Sequence, residues 1–134
     1  MDSVKKTKED WKKELDAETY HITREAGTEA AFSGKYHNTH DKGMYKCSNC
    51  GLELFSSDKK FASGTGWPSF TNPANKERID LKEDLSQGMQ RVEVLCKRCG
   101  AHLGHVFDDG PGPTCKRFCI NSASLKLENE NAKK

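Results

Sequence analysis

Cys47-Ser48-Asn49-Cys50-Gly51 and Cys96-Lys97-Arg98-Cys99-Gly100 are two copies of one pattern, C-x-x-C-G. Two residues between cysteines let both sulfurs of a tight turn face one point. The glycine that follows tolerates the positive φ such a turn leaves behind. Together the two turns supply the four thiolates of a tetrahedral shell, with Zn–S distances of about 2.3 Å. The gap between the pairs exceeds the short zinc-finger spacings, so one ion would tie two distant hairpins together. Four thiolates leave no position for water, which makes this Zn2+, one per chain, structural. The competing reading is a pair of thioredoxin-like redox motifs, and no βαβ pattern surrounds either pair to support it.

The rest of the composition explains why a staple is useful. The chain has 134 residues, 34% of them apolar and 31% charged, which predicts one domain with a modest core. A net charge of +2 with acids and bases interspersed argues against a nucleic-acid partner. The first residues, MDSVKKTKEDWKKEL, hold no apolar h-region, and no run reaches the length of a membrane span. Asp2, Glu9 and Asp10 argue against a transit peptide, although a processed organellar form stays open. A reducing, cytoplasmic setting is expected, where paired cysteines bind metal or do redox chemistry. A monomer is the expected state.

Outward from the knuckles the chain reads as short strands between Gly, Pro, Asn and Ser. The pattern predicts strands at Met44–Cys47, Leu52–Phe55, Arg78–Leu81, Met89–Cys96, Ala101–Phe107 and Arg117–Leu127, the last with a break at Asn121. That is an antiparallel, mainly β body. Ahead of it, a helix is predicted from Thr7 to Leu15, with Thr7 and Asp10 as a capping box, and a second from Asp16 or Glu18 to about Thr23. Residues 1–128 are read as one domain, and the polar tail, residues 129–134, as disordered.

Two cysteines remain outside the knuckles, Cys115 and Cys119, in GPGPTCKRFCIN. After the proline-rich turn, alternation puts Arg117, Cys119 and Asn121 on one face and Phe118 and Ile120 on the other. A neighbouring cation favours thiolate, the reactive form. The plainer alternative is a small buried residue that happens to be cysteine. Upstream, HLGHVFDDG carries His102, His105, Asp108 and Asp109, a cluster suited to proton delivery near neutral pH. Strict alternation puts the two histidines on opposite faces, so a shared site needs a bulge, expected at Gly104.

These segments, with Ser63–Phe70 (SGTGWPSF), resemble the methionine-R-sulfoxide reductase family of the B type. The similarity runs from about Tyr20 to Leu127 and begins with YHITREAGTEAAFSGKY. The resemblance implies two antiparallel β-sheets, a scaffold like that of small zinc-binding chaperones of GTPases, with the zinc staple remote from the active centre. It implies reduction of methionine-R-sulfoxide, protein-bound or free, to methionine, a repair of oxidised proteins under oxidative stress. By the motif match Cys119 is the nucleophile, His105 hydrogen-bonds and protonates the sulfoxide oxygen, and Trp67 walls in the substrate methyl group. His102, Asp109, Arg117 and Asn121 take supporting polar positions. A thiolate that attacks sulfur needs an acid for the oxygen, and an indole face can bury a methyl. Cys119 becomes a sulfenic acid, which a thiol restores.

Many relatives place a resolving cysteine between the two glycines of SGTGWPSF, where this chain has Thr65. Cys115 is the other candidate resolver, but four residues of strand span roughly 13 Å, whereas bridged Cα atoms lie within about 7 Å. An external thiol such as glutathione, glutaredoxin or thioredoxin is therefore the favoured reductant. Two other functions compete. A non-enzymatic zinc module would not need Cys119, the histidines and Trp67 together, and a cysteine hydrolase would need a nucleophile turn or oxyanion motif that the sequence lacks.

Overall fold

The structure, a computed structural model, describes residues 6–37, 39, 41–85, 88, 90–112 and 114–129. Two short helices lead. Helix α1 (Lys8–Glu14) is capped reciprocally, Asp10 N–H donating to Thr7 Oγ1 and Thr7 N–H to Asp10 Oδ2, both at 3.1 Å. Helix α2 (Ala17–Arg24) starts on Asp16, whose Oδ1 accepts from Thr19 N–H at 2.7 Å. Trp11 is buried and the Arg24 guanidinium lies 4.5 Å from its ring. Arg24 Nη2 also donates to the Cys99 carbonyl at 2.8 Å, which fastens the arm to the second knuckle.

Nine strands follow among the described residues: β1 (Gly43–Cys47), β2 (Glu53–Ser56), β3 (Lys60–Phe61), β4 (Ser69–Phe70), β5 (Ile79–Asp84), β6 (Arg91–Cys96), β7 (His102–Phe107), β8 (Arg117–Ile120) and β9 (Leu125–Asn129). They form a three-stranded sheet, β2-β1-β9, and a six-stranded sheet, β3-β4-β8-β7-β6-β5, antiparallel throughout. The core between the sheets is a run of rings. Tyr45, Phe70, Phe55 and Phe118 follow one another at centroid separations of 5.3, 4.6 and 5.9 Å, crossing from one sheet to the other.

The predicted break at Asn121 is where the chain changes sheets. Strand β8 stops at Ile120, a 3-10 turn occupies Ser122–Ser124, and β9 continues in the smaller sheet. Several expected boundaries shift, most by a single residue. The strand predicted from Arg78 begins at Ile79 and runs on to Asp84, because Arg78 closes a 3-10 turn. The strand predicted from Met89 starts at Arg91, and Met89 lies outside the described residues. Strand β9 runs past its predicted end at Leu127 to Asn129, which pairs with Gly43 of β1 rather than opening the tail; residues 130–134 lie outside the described residues. Among the described residues no helix is long and apolar enough to cross a membrane.

The expected bulge exists, one residue earlier than predicted. Val94 pairs with Gly104 but Leu95 pairs with His102, so Leu103 is the extra residue of β7. Gly104 serves another purpose: a Cβ there would sit 2.0 Å from the Cys119 carbonyl oxygen, so its missing side chain lets β7 and β8 close up. The bulge brings His102 to the face of His105, and their rings meet edge to face at 5.5 Å.

Candidate active site

The two knuckles are alike in backbone. Gly51 N–H donates to the Cys47 carbonyl and Gly100 N–H to the Cys96 carbonyl, each at 2.8 Å, with both glycines at positive φ. Their four sulfurs lie within 4.8 Å of one another. The Cys47–Cys99 and Cys50–Cys96 sulfur pairs are each 3.6 Å apart. A tetrahedron with Zn–S bonds of about 2.3 Å has edges of about 3.8 Å, so the donor set fits an ion of that kind. Three of the four cysteines are buried and Cys50 is half-buried, so the cluster is shielded from water as a structural metal shell requires.

A second cluster forms on the outer face of β8. Phe118 and Ile120 enter the core, as alternation predicts, which leaves Cys119 on the opposite face. There Cys119 lies between two strands, opposite Ser69 of β4 and opposite His105 of β7. A cavity of about 200 Å³ opens over it, and its wall includes Trp67, His105, Arg117, Cys119 and Asn121. Five of the residues singled out from the sequence are thus brought together.

The loop before β4 is held at this cavity from several sides. Ile120 N–H donates to the Pro68 carbonyl at 3.0 Å, and Phe32 N–H to the Gly66 carbonyl at 2.8 Å. A side chain on Gly66 would strike Phe32 at 2.7 Å, which accounts for glycine there. Trp67 is half-buried rather than exposed, because its indole Nε1–H donates to the Glu29 carbonyl at 2.9 Å. The same residue's N–H donates to Asn121 Oδ1 at 3.1 Å, and its carboxylate accepts from Ala123 N–H at 3.0 Å. Glu29 therefore ties the tryptophan loop to the end of β8. Asn121 is buried, and its Nδ2 donates to the Leu103 carbonyl at 3.2 Å.

The other expected residues stand one step away. Asp109 receives Arg117 through two bonds, Nε at 2.8 Å and Nη2 at 3.1 Å, and the guanidinium lies 4.5 Å over the Phe107 ring. This pairing holds the Asp109 carboxyl below and the Arg117 guanidinium above their ordinary ranges. His102 is buried behind His105, and its Nδ1 meets Glu93 Oε2 at 2.6 Å. Burial pulls its pKa down against that carboxylate, which favours the neutral ring. Cys115 is exposed, at φ +57, in a turn closed by Cys115 N–H to the Pro111 carbonyl at 3.1 Å.

The sequence expectation for Cys119 itself changes. Burial pushes its thiol up, and the Arg117 guanidinium and the Thr65 hydroxyl pull it only part of the way back. The cation is where alternation placed it, but desolvation outweighs it. Thr65 is held for this contact by Ser63, hydroxyl to hydroxyl at 2.8 Å, and Ser69 Oγ donates to Ser63 at the same distance. Sequence reasoning missed Thr28, Arg91 and Phe107, which also line the cavity. It also missed Asp84 and Glu93, which accept from the two histidines. The alternation of β5 and β6 could have flagged the charges, but the strand register that aims them is not written locally.

Residues 15–129 match the SelR domain family. The chain is 57% identical over 128 residues to a peptide methionine sulfoxide reductase MsrB of Methanosarcina barkeri, covering 96% of this chain and 90% of that protein. It is likewise 57% identical to the MsrB of Leptospira interrogans, over 95% of this chain and 97% of the relative. An MsrB of Acinetobacter baumannii is 56% identical over 97% of this chain and 94% of its own length.

Proposed function

The chain belongs to the SelR-domain family of B-type methionine-R-sulfoxide reductases, and from that premise we propose that Cys119 carries out the reduction. The observation that supports this most is the placement of Cys119 opposite His105, at the floor of a cavity walled by Trp67. A cavity of about 200 Å³ is sized for one side chain. The indole face takes the S-methyl group, and His105 donates to the sulfoxide oxygen while the Cys119 sulfur attacks the sulfoxide sulfur. In the net exchange Cys119–SH and the sulfoxide give Cys119–SOH and methionine. The substrate sulfur gains the two electrons that the cysteine sulfur loses. Arg117, clamped by Asp109, keeps a fixed positive charge beside that sulfur, and Asn121 and His102 hold the strands that carry the reacting groups.

Regeneration consumes two external thiols, which yield a disulfide and water. Thr65 has no sulfur to offer, and Cys115 sits in its own turn, so glutathione, glutaredoxin or thioredoxin is the reductant. The four knuckle cysteines, Cys47, Cys50, Cys96 and Cys99, would hold Zn2+ as a staple, with no part in the exchange. The substrates are oxidised proteins and, in addition, free methionine-R-sulfoxide, so the activity is one of repair. A reducing compartment such as the cytoplasm keeps all these thiols available. The test is Cys119→Ser: turnover of methionine-R-sulfoxide is abolished while bound zinc stays at one ion per chain. Turnover retained in that variant would overturn the assignment.

A further inference from the structure

Two histidines and two carboxylates face one another beside the cavity, and the structure pairs them one to one. Glu93 lies directly opposite His105 in the β6–β7 register, yet its Oε2 is taken by His102 Nδ1 at 2.6 Å. The bulge at Leu103 is what puts His102 on that face. His105 reaches past β6 instead, and its Nε2 meets Asp84 Oδ2, at the end of β5, at 2.8 Å. Arg91, which pairs with Asp84 across β5 and β6, donates to the same Oδ2 from Nη2 at 3.3 Å and also lines the cavity. Asp84 and Arg91 are about four-fifths buried, with side-chain exposures of 20% and 21%, so this is an ordered pair rather than a loose surface one.

A carboxylate only accepts, so the bond to Asp84 requires a proton on His105 Nε2. With Nε2 committed, Nδ1 is the ring nitrogen left for the cavity, on the residue directly opposite Cys119. Resting on the reaction reading above, we propose that Asp84 is a positioning residue, holding His105 by Nε2–H so that Nδ1 of the imidazolium is the donor to the sulfoxide oxygen. The proton passes from Nδ1 to that oxygen as the Cys119 sulfur bonds to the substrate sulfur, and the proton of the Cys119 thiol replaces it on the ring. The S–O and S–S bonds of that adduct then break as the hydroxyl passes to the Cys119 sulfur, which leaves methionine and Cys119–SOH. Throughout, the Nε2–H bond to Asp84 is unbroken, so the imidazole neither flips nor changes its neutral tautomer between turnovers. Arg91 fixes the carboxylate in turn.

The experiment compares the zinc-loaded protein with Asp84→Asn, His105→Asn and the double variant in single turnover of methionine-R-sulfoxide, together with 15N NMR of the His105 ring. An asparagine can present its amide to Nε2 and so admits the wrong tautomer. Asp84→Asn is expected to slow the single-turnover rate by about 10- to 100-fold, with the substrate concentration at half saturation within about threefold of the parent. In the His105→Asn background the same change is expected to cost nothing further, because Asp84 acts through His105. The ring signals are expected to show Nε2–H in the parent and a mixed or reversed tautomer in Asp84→Asn. An Asp84→Asn rate within about twofold of the parent, an equal loss in both backgrounds, or unmoved ring signals would overturn the proposal. A parent protein inactive on the R epimer would instead defeat the reaction reading, and the ring signals would still decide whether Asp84 holds His105.

Discussion

Cys119 and His105 stand directly opposite each other on neighbouring antiparallel strands, and the glycine before His105 is what lets those strands approach. Facing side chains at such positions have Cβ atoms about 5 Å apart. A thiol and an imidazole so placed can reach the two ends of one S–O bond without either strand moving, as the proposed reaction requires.

Burial raises the Cys119 thiol, so less of it is thiolate at neutral pH than in an ordinary exposed cysteine. In Cys115→Ser, whose other thiols are the knuckle ligands, alkylation of Cys119 by iodoacetamide is expected to reach half its limiting rate above about pH 8.5, the midpoint of an unperturbed thiol. Arg117→Ala removes the largest downward pull, shifting the curve further to high pH and slowing alkylation at any fixed pH below it. A midpoint at or below the ordinary thiol value would contradict the upward shift at Cys119.

The knuckles bracket the turns after β1 and β6, one in each sheet, so an ion held between them joins the two layers. Removing it with a strong chelator is expected to lower the melting temperature by more than about 10 °C, since structural zinc contributes roughly 10 kcal/mol in small sites. Cys50→Ser should behave the same way without chelator. An unchanged melt in both cases would show that the ion is not what joins the sheets.

Adding one equivalent of methionine-R-sulfoxide to the reduced protein, with no reductant present, is expected to remove one titratable thiol per chain. A dimedone-type reagent should then label Cys119. Loss of two thiols would mean that Cys115 leaves its turn and forms a disulfide with Cys119.

What could be read from the sequence was whatever local spacing carries. The C-x-x-C-G turns, the Thr7–Asp10 cap and the inward pair Phe118 and Ile120 depend only on residues a few positions apart, and all appear in the structure. The loop Ser63–Phe70 was legible as a turn, but β4 at its end is two residues long, too short for any periodic signal. Bulge position was not legible either, because one extra residue on β7 is defined only against β6. For the same reason Asp84 could not be matched with His105: they meet across an intervening strand, 21 residues apart. The balance at Cys119 needed the structure too, since sequence places Arg117 beside it but does not report how deeply the pair is buried.

Stereochemistry decides whether this chain reduces the R epimer of methionine sulfoxide. Given a racemic peptide methionine sulfoxide and excess dithiothreitol, the protein is expected to consume half of the substrate and stop, leaving the S epimer untouched. Consumption of both epimers, of the S epimer alone, or of neither would contradict the account.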